Sequence, residues 1–395
     1  MSRKNQTKKR KNVEPKKGPD KFILYFSILM TVFGAIMIFD ASVYKANESF
    51  ADPFHFLKLQ LVWIVIGLII GLFLYIYDYR KLQRLSLLGM IISVVTLILV
   101  LLLGEDINGS KRWFSFGPLP PLQPAEFAKI AVILYLSSWM SSNKYFSDKT
   151  KVELKGSFLK SLVSFEAIVG VIALLIMLEP DLGTTMIIGT TSFIMYFIAK
   201  EGSDHAKLTF MSLLVLFIPL VIIAALLEPY RIGRVSTYLH LLTTGEISDP
   251  RGDGYQMQQI LIGIGSGGFL GKGFGQSRQR FGYLVENTAF TDSIFAVILE
   301  ELGFLGGTIL VAAWTIFLWR GFKIGLNAPD KQGRLLAIGI TVWLTLQALL
   351  NMGANVGLIP LTGIPAPFLS YGGSSTIVTL AGIGILLNIS KHSKG

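Results

Sequence analysis

The chain contains no cysteine and only four histidines, at positions 55, 205, 240 and 392. The first absence excludes disulfides and thiolate metal sites, and the scatter of the second leaves no metal-ligand spacing. Charge is scarce as well. Charged residues make up 15% of the chain against 52% hydrophobic, and mean hydropathy is +0.57, which excludes a water-soluble domain. Also missing is the alternation of apolar and polar positions that a membrane β-barrel requires. Leu85 to Leu103 and Phe210 to Leu227 are apolar on consecutive residues, so the spans are read as helices. No A-x-A-like site follows the first apolar segment, which is too long for a signal-peptide core and is expected to remain as the first helix.

What is present is an all-α polytopic membrane pattern. Spans are expected near 22–42, 57–77, 82–103, 122–141, 158–178, 183–199, 207–227, 292–319, 333–357 and 367–389, taking roughly 20 residues for each crossing. The domain reading is a basic tail over 1–20, one transmembrane domain over 21–390 and a short tail over 391–395. The first tail has few apolar residues and is expected to be disordered.

The net charge of +11 would suit nucleic acid, but its distribution argues against that partner. Lys4, Lys8, Lys9, Arg10, Lys11, Lys16 and Lys17 crowd the tail, and alternating sides puts Arg80, Lys81, Arg84, Arg320, Lys323 and Lys391 on the same face. That face is expected to be cytoplasmic, with both termini inside and the basic residues also attracted to anionic lipid.

The motif-like polar clusters then gather on the external face, above all in the long 228–291 loop between helices seven and eight. The first cluster runs from Asn108-Gly109-Ser110-Lys111-Arg112-Trp113 to Gln123-Pro124-Ala125-Glu126-Phe127-Ala128-Lys129. Lys111 and Arg112 stand where positive charge is disfavoured, and Trp113 suits a headgroup anchor. Glu126 and Lys129, at i and i+3, share a helix face one to two turns inside the membrane. Such charges either line a polar substrate cavity or form a structural ion pair.

In Glu179-Pro180-Asp181-Leu182-Gly183-Thr184, Asp181 suits the N-cap of the following helix. The run from Gly263 to Gly275 contains G-x-G-x-x-G, but no βαβ unit surrounds it, so it does not read as a dinucleotide site. Its glycines serve either backbone conformation or close approach to an anion, with Lys272, Arg278 and Arg280 nearby. Asp292, in Phe290-Thr291-Asp292-Ser293, opens helix eight and would suit a cap by itself. Phe368-Leu369-Ser370-Tyr371-Gly372-Gly373-Ser374-Ser375 suits close helix packing or hydrogen bonds to a sugar.

Taken together and in order, these motifs resemble the SEDS family, the FtsW, RodA and SpoVE proteins, over about 20–389. The resemblance implies a ten-helix inverting glycosyltransferase that polymerises lipid II, an undecaprenyl-pyrophosphate disaccharide-peptide, outside the cytoplasmic membrane. It also implies a class B penicillin-binding transpeptidase as partner. On this reading the family's essential aspartate is Asp292, the general base. Lys111, Arg112, Glu126, Lys129, Asp181, Arg231, Arg234, Lys272, Gln276, Arg278, Ser370 and Ser374 become candidates for substrate binding, and a divalent cation (Mg or Mn) would assist the pyrophosphate. The chain departs from the family where Val285-Glu286-Asn287-Thr288-Ala289-Phe290-Thr291-Asp292 replaces the usual Pro-Glu-x-His-Thr-Asp. Gln276-Ser277-Arg278-Gln279 looks closer to FtsW than to RodA, pointing to cell division. A lipid II flippase, an elongation-type polymerase and a non-catalytic scaffold are the competing expectations. A transporter should place polar groups at mid-membrane and on both faces, which this distribution does not favour.

Overall fold

The computed structural model describes residues 18–107, 110–116, 119–142, 155–199, 211, 229–249, 254–281 and 288–393. Eleven α-helices occur among them. They are α1 (Lys21–Phe50), α2 (His55–Ile76), α3 (Leu82–Leu103), α4 (Pro124–Ser142), α5 (Lys155–Leu178), α6 (Leu182–Ala199), α7 (Pro229–Thr244), α8 (Tyr255–Gly267), α9 (Ile294–Leu326), α10 (Lys331–Asn355) and α11 (Gly373–Ser390). Among the described residues eight segments are long and apolar enough to cross a membrane: α1, α2, Tyr79–Leu103, Lys160–Leu178, α6, α9, α10 and α11. The expected fourth span is α4, of spanning length but less apolar because it carries Glu126 and Lys129. The expected seventh, 207–227, lies outside the described residues apart from Met211.

Several boundaries differ from the sequence reading: α9 runs on to Leu326 rather than ending near 319, and α11 starts at Gly373 rather than near 367. Helix α1 runs on to Phe50, because neither proline nor glycine occurs between its expected end near residue 42 and Pro53. Its 30 residues make it about 45 Å long, more than the roughly 30 Å hydrocarbon layer. Within the segment expected as an external loop up to Pro121, the described residues instead form a three-stranded antiparallel meander, Glu105–Ile107, Ser110–Phe116 and Leu119–Leu122.

The bundle is centred on α11, which is buried along its whole length, whereas α2 leaves most of its span outward-facing. These two helices cross closely. A Cβ on Gly384 would lie 2.2 Å from the Gly71 carbonyl oxygen, so a small residue is required there. The face that carries the tail is tied by polar contacts. Asp20 caps α1 and pairs with Arg320 of α9 at 2.6 Å, and Asp330 at the start of α10 accepts from the Tyr79 hydroxyl and Arg80.

Helix α9 breaks at Gly303, whose φ of 65° and ψ of −169° suit only glycine. The break frees backbone groups that the segment after α8 takes up. Lys272 and Gly273 donate to the carbonyls of Glu300 and Glu301, while Phe304 and Leu305 donate to those of Gly268 and Phe269. Gly271 lies against this splice, where a Cβ would come 2.1 Å from the Glu301 carbonyl oxygen. The glycine run thus works through backbone conformation: it fastens α8 to α9 and satisfies polar groups that hydrocarbon could not.

Candidate functional site

Asp292 lies half-buried at the entrance to α9, on the face opposite the tail. It does not cap that helix. The N-cap is Ser293, and the Asp292 carboxylate instead accepts the Thr291 hydroxyl at 3.1 Å. Its backbone is held firmly. The carbonyl of Asp292 accepts from Asn351 Nδ2 at 2.7 Å and Asn355 Nδ2 at 2.9 Å, two α10 residues one helical turn apart. The adjoining Thr291 carbonyl accepts from the Ser370 hydroxyl, and Phe290 accepts from the Tyr371 amide at 2.8 Å.

Arg234 reaches the same place from α7. It donates to the Leu361 carbonyl at 2.9 Å and to Gln256 of α8 at 3.3 Å. Gly363, at φ 69°, lies between the two groups, and a Cβ there would stand 3.9 Å from both Arg234 Nη1 and Asp292 Oδ2. Burial raises the Asp292 carboxyl above the ordinary aspartate range, and the Arg234 charge partly opposes that rise. A carboxylate so placed suits proton abstraction, with a cation beside it to meet negative charge.

A second group adjoins it. Arg112 donates to the carbonyls of Glu179 and Pro180, tying the small sheet to the turn between α5 and α6. Asp181 caps α6 through the Thr184 amide at 3.0 Å, the local role its sequence suggested, and accepts from Gln123 at 3.2 Å. The Gln123 amide in turn donates to Ser374. Glu179 is wholly buried, and among the described residues neither of its carboxylate oxygens has a hydrogen-bond partner. Burial first, and the Asp181 charge second, push its carboxyl up to about 9.

Glu126 and Lys129 form a buried ion pair at 2.8 Å. Lys129 also donates to Gln347 at 2.8 Å, and Gln347 reaches the Pro365 carbonyl, so the pair braces the 360s loop beside Asp292. Lys272 pairs with Glu300 at 2.6 Å, two turns and about 12 Å along α9 from Asp292. Gln276 and Arg278 are exposed on the same segment, and Lys111 is exposed on the sheet. Arg231 lies on α7, but its side chain is outside the described residues, as are positions 285–287.

The structure thus gathers Asp292, Arg234 and Ser370 at one point, while Lys272, Gln276 and Arg278 stand apart from it. Sequence reasoning missed Gln347, Asn351 and Asn355, a ladder of amides at four-residue spacing on α10. Polar residues repeated on one face of an apolar helix were the available signal.

A multi-pass membrane protein with a half-buried carboxylate and a neighbouring guanidinium at one mouth of the bundle is the class defined by this fold and site. The chain belongs to the FtsW/RodA/SpoVE family, described as cell cycle proteins, whose profile it matches over residues 20–395. It is 40% identical over 383 residues to the stage V sporulation protein E of Bacillus subtilis, covering 96% of this chain and 99% of that one. It is 34% identical to a probable peptidoglycan glycosyltransferase FtsW of Legionella pneumophila, covering 95% and 91%. Among solved structures, a chain of a peptidoglycan synthase complex that coordinates polymerization and crosslinking superposes with a TM-score of 0.73 at 26% identity, covering 94% and 97%. The rod shape determining protein RodA of Thermus thermophilus shares the fold, with a TM-score of 0.67 at 24% identity over 95% and 98%.

Proposed function

We propose that this chain is a peptidoglycan glycosyltransferase that polymerises lipid II on the outer side of the cytoplasmic membrane. The observation carrying the proposal is the Asp292 carboxylate, backbone-clamped by Asn351 and Asn355 and accompanied by Arg234. Asp292 accepts the proton of the acceptor sugar's 4-hydroxyl, whose oxygen attacks the donor's anomeric carbon. The bond from that carbon to the pyrophosphate oxygen breaks, the pyrophosphate leaves with the electron pair, and the configuration inverts. Arg234, with Arg112 and Lys111 as further candidates, offsets the charge that develops on the leaving group.

Among the described residues no group of three or more His, Asp or Glu forms a metal cluster. With Asp292 assigned as the base, a divalent cation would be held mainly by the substrate's own pyrophosphate oxygens, as magnesium commonly is. When bound, it would neutralise the pyrophosphate.

The basic tail supports cytoplasmic termini, and the relationship to a polymerizing and crosslinking complex supports a class B transpeptidase partner. The Gln276-Ser277-Arg278-Gln279 segment supports use in cell division. The similarity to a stage V sporulation protein favours a second reading, in which the same polymerisation serves spore formation. Depletion followed by imaging separates them, because division use predicts unfinished septa in growing cells and sporulation use predicts normal growth with defective spores.

The central test is polymerisation of labelled lipid II by the purified chain with its transpeptidase, comparing wild type with Asp292→Asn at equal folded amounts. The variant should lose about 10²-fold or more in rate. Full activity in the variant would refute the base assignment. Absence of glycan strands from the wild type would favour a flippase or scaffold.

A further inference from the structure

A cavity of about 430 Å³ opens at the C-terminal end of α1, the end away from the tail, lined by Val43, Tyr44, Asn47, Glu48, Pro53 and Arg280. Its volume falls within the range of about 300–1,000 Å³ common for small-molecule sites. Its lining combines an aromatic ring, an amide, a carboxylate and a guanidinium, the mixture that recognises sugar hydroxyl and acetamido groups.

It is poorly suited to pyrophosphate. Arg280 is paired with Asp40 at 2.8 Å, the aspartate buried and the arginine half-buried at the cavity wall, so their charges largely offset each other locally. Glu48 at the rim is itself paired with Lys45 at 3.5 Å, so the lining carries little uncompensated charge. A neutral polar ligand fits better than an anion.

The cavity is also joined to the reaction centre. Its Pro53 wall leads into α2, where the Phe56 ring packs on Phe290 at 4.6 Å and on Tyr371 at 5.3 Å between centroids. Phe290 is two residues from Asp292. Arg234, by contrast, reaches Asp292 from α7 and the 361–363 segment. The pyrophosphate candidate and the cavity therefore approach the aspartate through different elements.

We propose that this cavity is a saccharide subsite, holding a sugar unit of the growing glycan strand beyond the one that reacts. The inference rests on the polymerase reading above. A strand leaves its reacting sugar on the side away from the pyrophosphate, so a neutral sugar site reached through a different wall is what continued elongation needs. Losing it leaves the coupling of two lipid II molecules intact but lets longer strands escape.

The test compares wild type with Asn47→Ala/Glu48→Ala, and with Val43→Trp, which fills the cavity without removing a polar group. All are assayed as the full chain with its transpeptidase, following both the rate of the first coupling and the distribution of strand lengths. Strands shortened several-fold in both variants, with first coupling within about two-fold of wild type, are the expected result. Unchanged lengths in both variants overturn the subsite alone. No strands from the wild type overturn the polymerase reading and the subsite with it. Loss of co-purifying transpeptidase in the variants would make this face a partner contact and overturn the sugar assignment.

Discussion

Burial lifts the Asp292 carboxyl while Arg234 holds it down, and these opposing effects predict how activity responds to pH. A general base must be ionised, so kcat/KM should rise with pH through an apparent pKa above the ordinary aspartate value. Arg234→Ala should move that limb to still higher pH, measured in the strand-formation assay across buffers. Glu179 gives a stability prediction of opposite use. Between about 4.5 and 9 the folded protein keeps a proton on this carboxyl that the unfolded chain has lost. Its contribution is therefore fully present below that window and is lost as pH rises through it, by at most about 1.4 kcal/mol per pH unit. Glu179→Gln should flatten this slope and melt higher than wild type at pH 8, read by thermal unfolding in detergent. At this scale the sequence pointed to Asp292 as the proposed base only through a family resemblance, since a lone aspartate before a helix otherwise reads as a cap. It could not show that Glu179 is buried without a hydrogen-bond partner among the described residues, because that depends on what packs over the turn.

Single helices carry the next predictions. The break in α9 at Gly303 is filled by the segment after α8, and a Cβ there would lie 2.3 Å from the Gly271 amide nitrogen. Gly303→Ala should destabilise the fold by about 1–3 kcal/mol from backbone strain alone, seen as a lower melting temperature. Helix α4 depends on a different device. Removing one partner of the buried Glu126–Lys129 pair, as in Lys129→Met, strands a charge and should cost about 3–5 kcal/mol. Replacing both with apolar residues should recover much of the stability but loosen the 360s loop that Gln347 holds, with lower polymerisation. The glycine run and the charged pair were both visible in the sequence as rule-breaking residues. Whether the glycines met an anion or a helix, and whether the charges lined a cavity or met each other, was open until their neighbours were known.

For the molecule as a whole, the absence of cysteine makes sidedness directly measurable. Single cysteines at exposed Ser236 of α7 and exposed Lys81 ahead of α3 should differ toward a membrane-impermeant maleimide in intact cells. Ser236→Cys should label and Lys81→Cys should not, and the reverse would invert the proposed orientation. Apolar runs of spanning length and the basic asymmetry determined, from sequence alone, a helical membrane bundle and its expected sidedness. Both follow from the transfer of side chains and backbone between water and hydrocarbon, which depends on composition along the chain. Tertiary structure decided the rest: α11 at the centre, the splice at Gly303, the amide ladder beneath Asp292, and the meeting of α7, α10 and the 360s loop at one carboxylate. Those contacts join residues far apart in the chain, and their energies depend on distance and burial that no local pattern specifies.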